Sequence, residues 1–305
     1  MRKAVLRGST LALTGVSLAS WMRRAYRRHI QASLVQLQTG SQIAATPHGT
    51  IEYALAGDPY NSNIPVLVAH SAGGGYDQSL ATGRRFRGHP LIAVSRAGYL
   101  RTPLDTGQTP AHMADAYAAL LDSLKIERVV MGAFSAGGMS AIEFTIRHTD
   151  RCSALVLGGA ITQPPPAYVL NYLAPVATAN TSDFLNWMLS SAVHSVFLPL
   201  IERDAETRAI LQAFQNTNPA SLRAPGYKLD ISQMRAFWPR LDRIRVPTLL
   251  IHGELDFLVP PAHARRAAQT IPNAQLLMLK RGSHDAPVRY PEQVIPALQV
   301  FLSSL

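Results

Sequence analysis

Three residues of this 305-residue chain have side chains that can together turn an alcohol into a nucleophile: Ser135, Asp256 and His284. A serine hydroxyl attacks poorly at neutral pH unless a histidine accepts its proton and a carboxylate stabilises the resulting imidazolium. The serine precedes the aspartate by 121 residues, and the histidine follows the aspartate by 28. Residues so widely spaced share a site only when the ends of several structural elements meet.

Ser135 lies in a stretch that predicts a strand, a sharp turn and a helix in succession. The β-branched pair at 129–130 precedes it, and an amphipathic segment at 139–148 follows it. Ala133 and Gly137 flank the serine at two residues' distance, and small side chains are needed there when the serine adopts a strained, positive φ. Such a turn presents the hydroxyl beside a helix N-terminus, which stabilises developing negative charge.

Asp256 and His284 each follow a short apolar run that is typical of a buried strand. These runs span 247–252 and 274–279. The serine also follows a predicted strand, so all three residue types occupy the same kind of position. This shared position favours a common site.

Each partner of the serine also has an interpretation that involves no catalysis. Asp256 could cap a helix that starts near Pro260, and His284 alone is typical of an exposed loop. Glu254 is an alternative acid, and Asp285 could either tune His284 or be solvated. The order of the three residue types, each after a predicted strand, favours catalysis over coincidence.

These segments resemble the motifs of the α/β-hydrolase family. The stretch 131–138 resembles the family's nucleophile elbow, with Ala133 where that motif has a glycine. The segments 253–260 and 280–285 resemble the family's acid loop and histidine loop, in the family's order. The resemblance covers two blocks of the chain, 50–160 and 245–300.

The resemblance is to serine-nucleophile, lidded, esterase- or lipase-like members, and it implies a role for each side chain. Ser135 would attack a carbonyl carbon, His284 would take and return the proton, and Asp256 would orient the imidazole. A serine rather than an aspartate at the elbow argues against epoxide hydrolase and dehalogenase chemistry.

A glycine-rich loop after another predicted strand resembles the family's oxyanion loop. Acyl transfer creates an oxyanion, and backbone N–H donors that converge on it stabilise the transition state. The stretch 70–75 supplies this loop, with Ser71 where the family usually has glycine. The resemblance implies that the N–H groups of Ala72 and Ala136 form the oxyanion hole, with Gly73 as the alternative to Ala72. A phosphate-binding loop is disfavoured because no Gly-Lys-Ser/Thr follows the glycines.

Strand and helix patterns alternate along most of the chain, which predicts parallel βαβ units. Helical patterning alone occupies 162–239, and strand signals resume at 247. The prediction is an α/β-hydrolase fold, with a mostly parallel central sheet flanked by helices and an inserted helical lid. The expected divisions are a leader at 1–45, a core at 46–160 and 241–305, and a lid at 161–240.

The expected lid is rich in large apolar side chains, which favour an apolar substrate part. Phe134 beside the nucleophile and three lid residues, Phe184, Trp187 and Met188, are the expected pocket residues. Each of these lid residues fits equally well in a core of the lid itself.

The positive charge of the chain is concentrated in the leader. The formal charge is +10, yet residues 1–49 hold seven of the 29 Lys and Arg and no acidic residue, which leaves a net of +3 elsewhere. Hydrophobic residues make up 47% and charged residues 16%, as in a globular protein with a sizeable core. Nucleic acid is set aside as a partner, because no basic surface with interleaved aromatic residues is evident.

The leader consists of a basic, an apolar and a second basic segment. The apolar segment has 15 uncharged residues, 8–22, fewer than the roughly 20 of a membrane-spanning helix. The pattern fits a membrane-associated interfacial helix, an export signal or an arm of a cytoplasmic protein. The single Cys152 permits no internal disulfide and does not identify the compartment.

The sequence therefore predicts a serine hydrolase that cleaves a carboxylic ester, or an amide or thioester, through an acyl-enzyme. The substrate is expected to be a small molecule with an apolar acyl or alcohol part. Carbon–carbon bond hydrolysis, aminopeptidase and perhydrolase activities are alternatives, as is a non-enzymatic ligand-binding protein of the same fold. No cofactor or metal is expected, because the histidines are dispersed and no dinucleotide-binding glycine motif is convincing.

Overall fold

The computed structural model describes residues 2–60, 63–179, 182–192, 202 and 204–305, and for 2–19, 176–179 and 192 it describes only the backbone. The expected lid includes 180–181, 193–201 and 203, which lie outside the described residues. The chain divides by its internal contacts into two units, 1–39 and 40–305.

The first unit is a single helix, α1 (Arg2–Thr39). The basic, apolar and basic segments of the leader therefore belong to one continuous element. In the part with described side chains, the most exposed positions recur with the helical period and include Arg23, Arg24, Arg27 and Arg28. Among the described residues, no helix combines the length and the apolar character that crossing a bilayer requires.

The second unit is organised around an eight-stranded sheet. Its strands are β1 (Gln42–Thr46), β2 (Gly49–Ala56), β3 (Val66–Ala69), β4 (Leu91–Val94), β5 (Val129–Phe134), β6 (Cys152–Gly158), β7 (Thr248–Gly253) and β8 (Ala274–Leu279). The spatial order is β1-β2-β4-β3-β5-β6-β7-β8. β2 pairs antiparallel with both β1 and β4. The other six strands, β3 to β8, are all parallel to one another. The predicted mostly parallel sheet is confirmed.

β1 is a strand that the sequence analysis did not predict. Residues 42–45 were expected in the leader, but they pair with β2 at the edge of the sheet. Every residue of β1 is partly or fully exposed, so the strand lacks the apolar pattern that marks a buried strand. β1 therefore belongs to the second unit, which begins at Gly40.

Helices flank the sheet and make up much of the described part of the segment between β6 and β7. They are α2 (Tyr76–Gly83), α3 (Pro110–Ser123), α4 (Gly137–Arg147), α5 (Ala167–Ala179), α6 (Asp183–Ala192), α7 (Ala205–Gln215), α8 (Ala224–Met234), α9 (Ala262–Thr270), α10 (Ala286–Arg289) and α11 (Pro291–Ser303). Local sequence determines the start of α3: the Thr109 side chain accepts a hydrogen bond from His112 N–H at 3.1 Å, and Pro110 is the first helical residue.

The central strands are apolar along their whole length because helices cover both faces of the sheet. In β3, Leu67 and Ala69 belong to one hydrophobic cluster, with residues of α3 and α4. Val66 and Val68, on the opposite face, belong to a second cluster with residues of α11. The strand alternation thus divides the core into two layers around a rigid sheet.

The segment between β6 and β7 interrupts the alternation of strands and helices. Its described residues form α5 to α8 and contain no strand, in agreement with the helical patterning of the sequence. β6 and β7 are nevertheless direct neighbours, with Leu155 paired to Thr248. The segment is therefore an insertion that leaves the sheet continuous.

A pair of valines tests this assignment of the core. Val130 in β5 is fully buried, whereas Val300 in α11 is 71% exposed. Val130→Ala removes two buried methyl groups, so we expect the free energy of unfolding to fall by about 2–3 kcal/mol. Val300→Ala should change it by less than about 0.5 kcal/mol. Urea unfolding followed by circular dichroism measures both, and equal effects would contradict the assignment.

Candidate active site

The turn between β5 and α4 carries Ser135. Its φ is 53°, in the left-handed region that residues other than glycine rarely adopt. Ser135 N–H donates to Gly158 O at 3.0 Å, and Gly138 N–H donates to Ser135 O at 3.0 Å. The predicted strand, sharp turn and helix around Ser135 are confirmed.

Gly137 allows the first turn of α4 to approach the end of β3. A Cβ at this position would lie 2.5 Å from Ala69 O and 2.6 Å from His70 O, distances that no side chain tolerates. The glycine therefore brings the N-terminus of α4, including the N–H of Ala136, beside the loop that follows β3.

His284 lies between Ser135 and Asp256. Its Nε2 is 3.1 Å from Ser135 Oγ, and its Nδ1 is 2.8 Å from Asp256 Oδ2. The tautomer that fits both bonds carries hydrogen on Nδ1, which donates to the carboxylate, and leaves Nε2 free to accept the serine proton. The loops after β5, β7 and β8 thus bring the three predicted side chains into one hydrogen-bonded series.

Asp256 is held by its own turn as well as by His284. The carboxylate is buried, and Oδ1 accepts hydrogen bonds from Leu258 N–H at 2.9 Å and Val259 N–H at 2.8 Å. His252 Nε2 lies 3.4 Å from Oδ2. Asp256 therefore braces a turn through one oxygen and binds His284 through the other, and it does not cap α9.

These contacts keep the Asp256 carboxylate ionised. Burial favours the neutral form, but hydrogen bonds from His252, His284 and the Val259 amide outweigh it and hold the pKa of Asp256 well below its usual range. A buried negative charge at this position stabilises an imidazolium at His284.

Neither the alternative acid Glu254 nor the neighbouring Asp285 takes the place of Asp256. Glu254 is exposed, and the Asp285 carboxylate accepts hydrogen bonds from Ser283 and Arg289. Within the described chain, neither carboxylate is hydrogen-bonded to His284.

The loop after β3 places Ala72 next to the cavity described below. Within the described part of the chain, the N–H groups of Ala72 and Ala136 donate to no protein acceptor. Gly73 N–H, the alternative donor, is engaged by Tyr99 Oη at 3.2 Å. Of the two loop amides considered from sequence, Ala72 is therefore the one that is free to bind a ligand.

A cavity of about 200 Å³ opens onto Ser135 and His284. Phe134, expected in the pocket from sequence, lines it, and the Phe134 ring lies 5.1 Å from the His284 ring. The inserted segment contributes most of the apolar wall through Val169, Leu173, Phe214, Tyr227 and Met234.

The structure does not bring the expected residues of α6 to this cavity. Phe184, Trp187 and Met188 are not among the described residues that line it. Phe184 and Met188 are exposed, and the Phe184 ring lies 5.8 Å from the Trp187 ring. The prediction of α6 was based on the size of its apolar side chains, whereas the wall is formed by residues of α5, α7 and α8. Helical spacing was the available signal, since Val169 and Leu173 are one turn apart.

A second cavity, of about 390 Å³, also borders His284. The two cavities share Phe134, Phe214, Leu258 and His284. The second is the more polar one, since Gln215, Ser283, Asp285 and Arg289 contribute to its wall. His284 therefore borders both an apolar chamber that includes Ala72 and a partly polar chamber.

The described residues include no group of three or more His, Cys, Asp or Glu side chains arranged to hold a metal ion.

The lowered pKa of Asp256 predicts how stability depends on pH. An unfolded aspartate titrates near pH ~3.9, and the folded-state pKa is lower. The carboxylate therefore stabilises the fold above the unfolded value, and this contribution is lost as the pH falls. In urea unfolding, wild type should lose its advantage over Asp256→Asn between roughly pH 5 and pH 2. A difference that stays constant over this range would contradict the assignment.

The chain is similar to known hydrolases in sequence and in fold. Residues 64–288 match a family model described as the alpha/beta hydrolase fold. An uncharacterized hydrolase of Bacillus subtilis is 29% identical over 255 residues, which cover 77% of this chain and 88% of that protein. A putative carbamate hydrolase of Pseudomonas syringae is 29% identical over 262 residues, which cover 80% and 96%. An alpha/beta hydrolase fold protein from Nakamurella multipartita superposes with a TM-score of 0.67 at 26% identity, covering 87% of this chain and all of that one. Because the family match extends over well more than half of the sequence, this chain belongs to the α/β-hydrolase family and is a hydrolase.

Proposed function

We propose that this hydrolase cleaves carboxylic esters with an apolar acyl part, through an acyl-enzyme on Ser135. The observation that carries the proposal is the series of hydrogen bonds from Ser135 through His284 to Asp256, at the wall of an apolar cavity. A hydroxyl so placed can lose its proton to the imidazole at the moment it attacks.

Acylation begins with attack of Ser135 Oγ on the ester carbonyl carbon. The serine proton moves to His284 Nε2, and Asp256 stabilises the imidazolium that results. The carbonyl oxygen becomes an oxyanion, which the N–H groups of Ala72 and Ala136 stabilise. The C–O bond to the alcohol then breaks, and His284 gives its proton to the departing alkoxide.

Deacylation repeats these steps with water. His284 takes a proton from the water while the water oxygen attacks the acyl carbon of the ester on Ser135. The tetrahedral intermediate collapses, Ser135 Oγ recovers a proton from His284, and the carboxylic acid leaves. One water is consumed, and one acid and one alcohol are released.

The two cavities suit the two parts of an ester. The apolar chamber that contains Ala72 fits the acyl chain, and its volume of about 200 Å³ corresponds to roughly seven water molecules at about 30 Å³ each. This size favours short or medium acyl chains. The partly polar chamber that also borders His284 fits the alcohol, which must receive its proton from that ring.

The inserted segment, 161–240, serves in this proposal as a lid over the core at 40–160 and 241–305. Val169 and Leu173 of α5, Phe214 of α7, and Tyr227 and Met234 of α8 supply the wall of the acyl chamber. Because these side chains exclude water, they strengthen the electrostatic interactions of the transition state.

The same groups can attack amides, thioesters and carbamates, and the similarity to a putative carbamate hydrolase makes carbamates the first alternative to test. Carbon–carbon bond hydrolysis, aminopeptidase and perhydrolase activities need the same nucleophile. The ratio of kcat/KM for an ester to kcat/KM for the matched carbamate shows which of these two substrate classes the enzyme prefers.

Ser135→Ala tests the nucleophile. We expect kcat/KM for p-nitrophenyl esters to fall by at least about 1,000-fold, because the triad members act as a unit. Labelling by a fluorophosphonate probe should disappear. Ser140→Ala is the matched control: this buried serine of α4 bonds to Tyr117 and Gly137 O, away from the cavity, and its variant should keep both activities.

Two outcomes would overturn the proposal. Hydrolysis that survives in Ser135→Ala would move the chemistry to another group. A folded wild-type protein that neither hydrolyses an ester series nor reacts with the probe would favour the ligand-binding interpretation of the same fold.

The exposed arginines of α1 favour a second property, attachment to an anionic membrane surface. Arg23, Arg24, Arg27 and Arg28 occupy one exposed face of the helix, and Trp21 is 65% exposed. Each arginine near an anionic surface contributes about 1 kcal/mol, and tryptophan favours the membrane interface.

Replacement of these four arginines by glutamine should abolish co-sedimentation with phosphatidylserine vesicles at low salt. Wild type should bind and be released as ionic strength rises, since the attraction is screened. The control replaces four exposed arginines of the second unit by glutamine: Arg235, Arg240, Arg243 and Arg245. Binding by the α1 variant that equals wild type, or an equal loss in the control, would overturn this proposal.

A further inference from the structure

The peptide unit that joins Ser71 to Ala72 is held by its carbonyl oxygen. Ser71 O accepts hydrogen bonds from His70 Nδ1 at 2.7 Å, Arg96 Nη2 at 3.2 Å and Gly74 N–H at 3.2 Å. In a planar trans peptide the N–H points opposite to the C=O. Donors that fix the Ser71 carbonyl therefore also fix the direction of the N–H of Ala72, a residue that lines the cavity.

The His70 ring is suited to hold this carbonyl because it is neutral. Burial, together with the nearby charge of Arg96, keeps the pKa of His70 well below its usual range. Nε2 accepts the Arg96 backbone N–H at 2.9 Å, so the single ring hydrogen lies on Nδ1 and is donated to Ser71 O.

Arg96 joins this loop to the inserted segment. Its Nε donates to His70 O at 3.0 Å, and its two terminal nitrogens bind both carboxylate oxygens of Asp230 at 2.5 and 2.7 Å. Both side chains are buried. Such a two-point bond between planar groups fixes orientation as well as distance, and Asp230 belongs to α8.

Tyr99 makes a second connection between the same two parts. Its hydroxyl donates to Asp230 Oδ2 at 2.5 Å and accepts Gly73 N–H at 3.2 Å. Asp230 thus accepts hydrogen bonds from both Arg96 and Tyr99. These two side chains in turn bind the residues on either side of Ala72: Arg96 binds Ser71 O, and Tyr99 binds Gly73 N–H.

We propose that Asp230 is a positioning residue: through Arg96 and Tyr99 it holds the loop 71–73 so that the Ala72 N–H faces the oxyanion. The oxyanion hole then forms only when α8 is in place. The inserted segment therefore contributes to the rate of acyl transfer as well as to the wall of the cavity. This inference rests on the proposed function, because it assigns Asp230 a part in the same acyl transfer.

Tyr99→Phe is the central test, because it removes only the hydroxyl that links Asp230 to Gly73. We expect kcat for the best ester to fall about 10-fold with KM within twofold, since a misdirected donor loses transition-state rather than substrate binding. Tyr117→Phe is the matched control: this tyrosine is also fully buried, and its hydroxyl bonds Ser140 at 3.0 Å outside the loop. The Tyr117→Phe variant should lose about as much free energy of unfolding as Tyr99→Phe does, and its kcat should equal that of wild type.

Asp230→Asn tests the carboxylate itself. It weakens the hold on Arg96, and we expect a fall in kcat of roughly 100-fold, the scale of losing one oxyanion donor. Asp77→Asn is its control, because Asp77 also pairs the core with the inserted segment, through Arg223 at 2.7 Å, and should retain kcat. If Asp230→Asn does not fold, Tyr99→Phe decides the question.

A transition-state analogue separates positioning from simple destabilisation. The inhibition constant of an alkyl boronic acid should rise in Tyr99→Phe by the same factor by which kcat/KM falls. If the Tyr99 hydroxyl only stabilises the fold, Tyr99→Phe should lower the melting temperature but leave kcat/KM and the inhibition constant unchanged. Unchanged kcat in Tyr99→Phe would overturn the proposal.

Hydrogen exchange distinguishes failure of this inference from failure of the proposed function. The peptide 70–78 of Tyr99→Phe should exchange faster than that of wild type, because Gly73 N–H loses its acceptor, and Tyr117→Phe should not change it. If wild type hydrolyses no ester, the proposed function fails, and exchange alone decides whether Asp230 holds the loop. Unchanged exchange would overturn the inference in either case.

Discussion

The left-handed backbone of Ser135 is the constraint on which the rest of the site depends. Such a conformation costs about 1–2 kcal/mol in a residue other than glycine, so the surroundings must hold it. Ser135 N–H donates to Gly158 O, and Ser135 O accepts from Gly138 N–H and Ile161 N–H. These bonds tie the backbone of the residue to α4 and to the end of β6, and so hold the Cα that carries the hydroxyl.

The remaining groups reach the serine because parallel strands end at a common edge. The loops after β3, β7 and β8 carry Ala72, Asp256 and His284 to the place where β5 delivers Ser135, in keeping with the general location of sites in parallel sheets. Each loop is secured locally, Asp256 by the amides of its own turn. The inserted helices then close the apolar chamber over this edge.

Much of the fold and the candidate triad could be predicted from sequence, because the signals are local. Small neighbours around Ser135 reveal the turn, and apolar runs reveal the buried strands. The chamber wall could not be predicted in the same way: Phe184 and Trp187 have the residue types of a pocket, but the direction in which α6 faces depends on tertiary packing. The bond between Arg96 and Asp230 joins residues 134 positions apart, and no local pattern marks either of them.

The insertion between β6 and β7 also separates the candidate nucleophile from its base along the chain. Ser135 precedes the insertion, whereas Asp256 and His284 follow it, so a growing polypeptide has its serine long before the imidazole. Pairing of β7 with β6 closes a long loop, which carries an entropic cost in folding. The hydrogen-bonded series from Ser135 through His284 to Asp256 can therefore form only once β7 and β8 have joined the sheet.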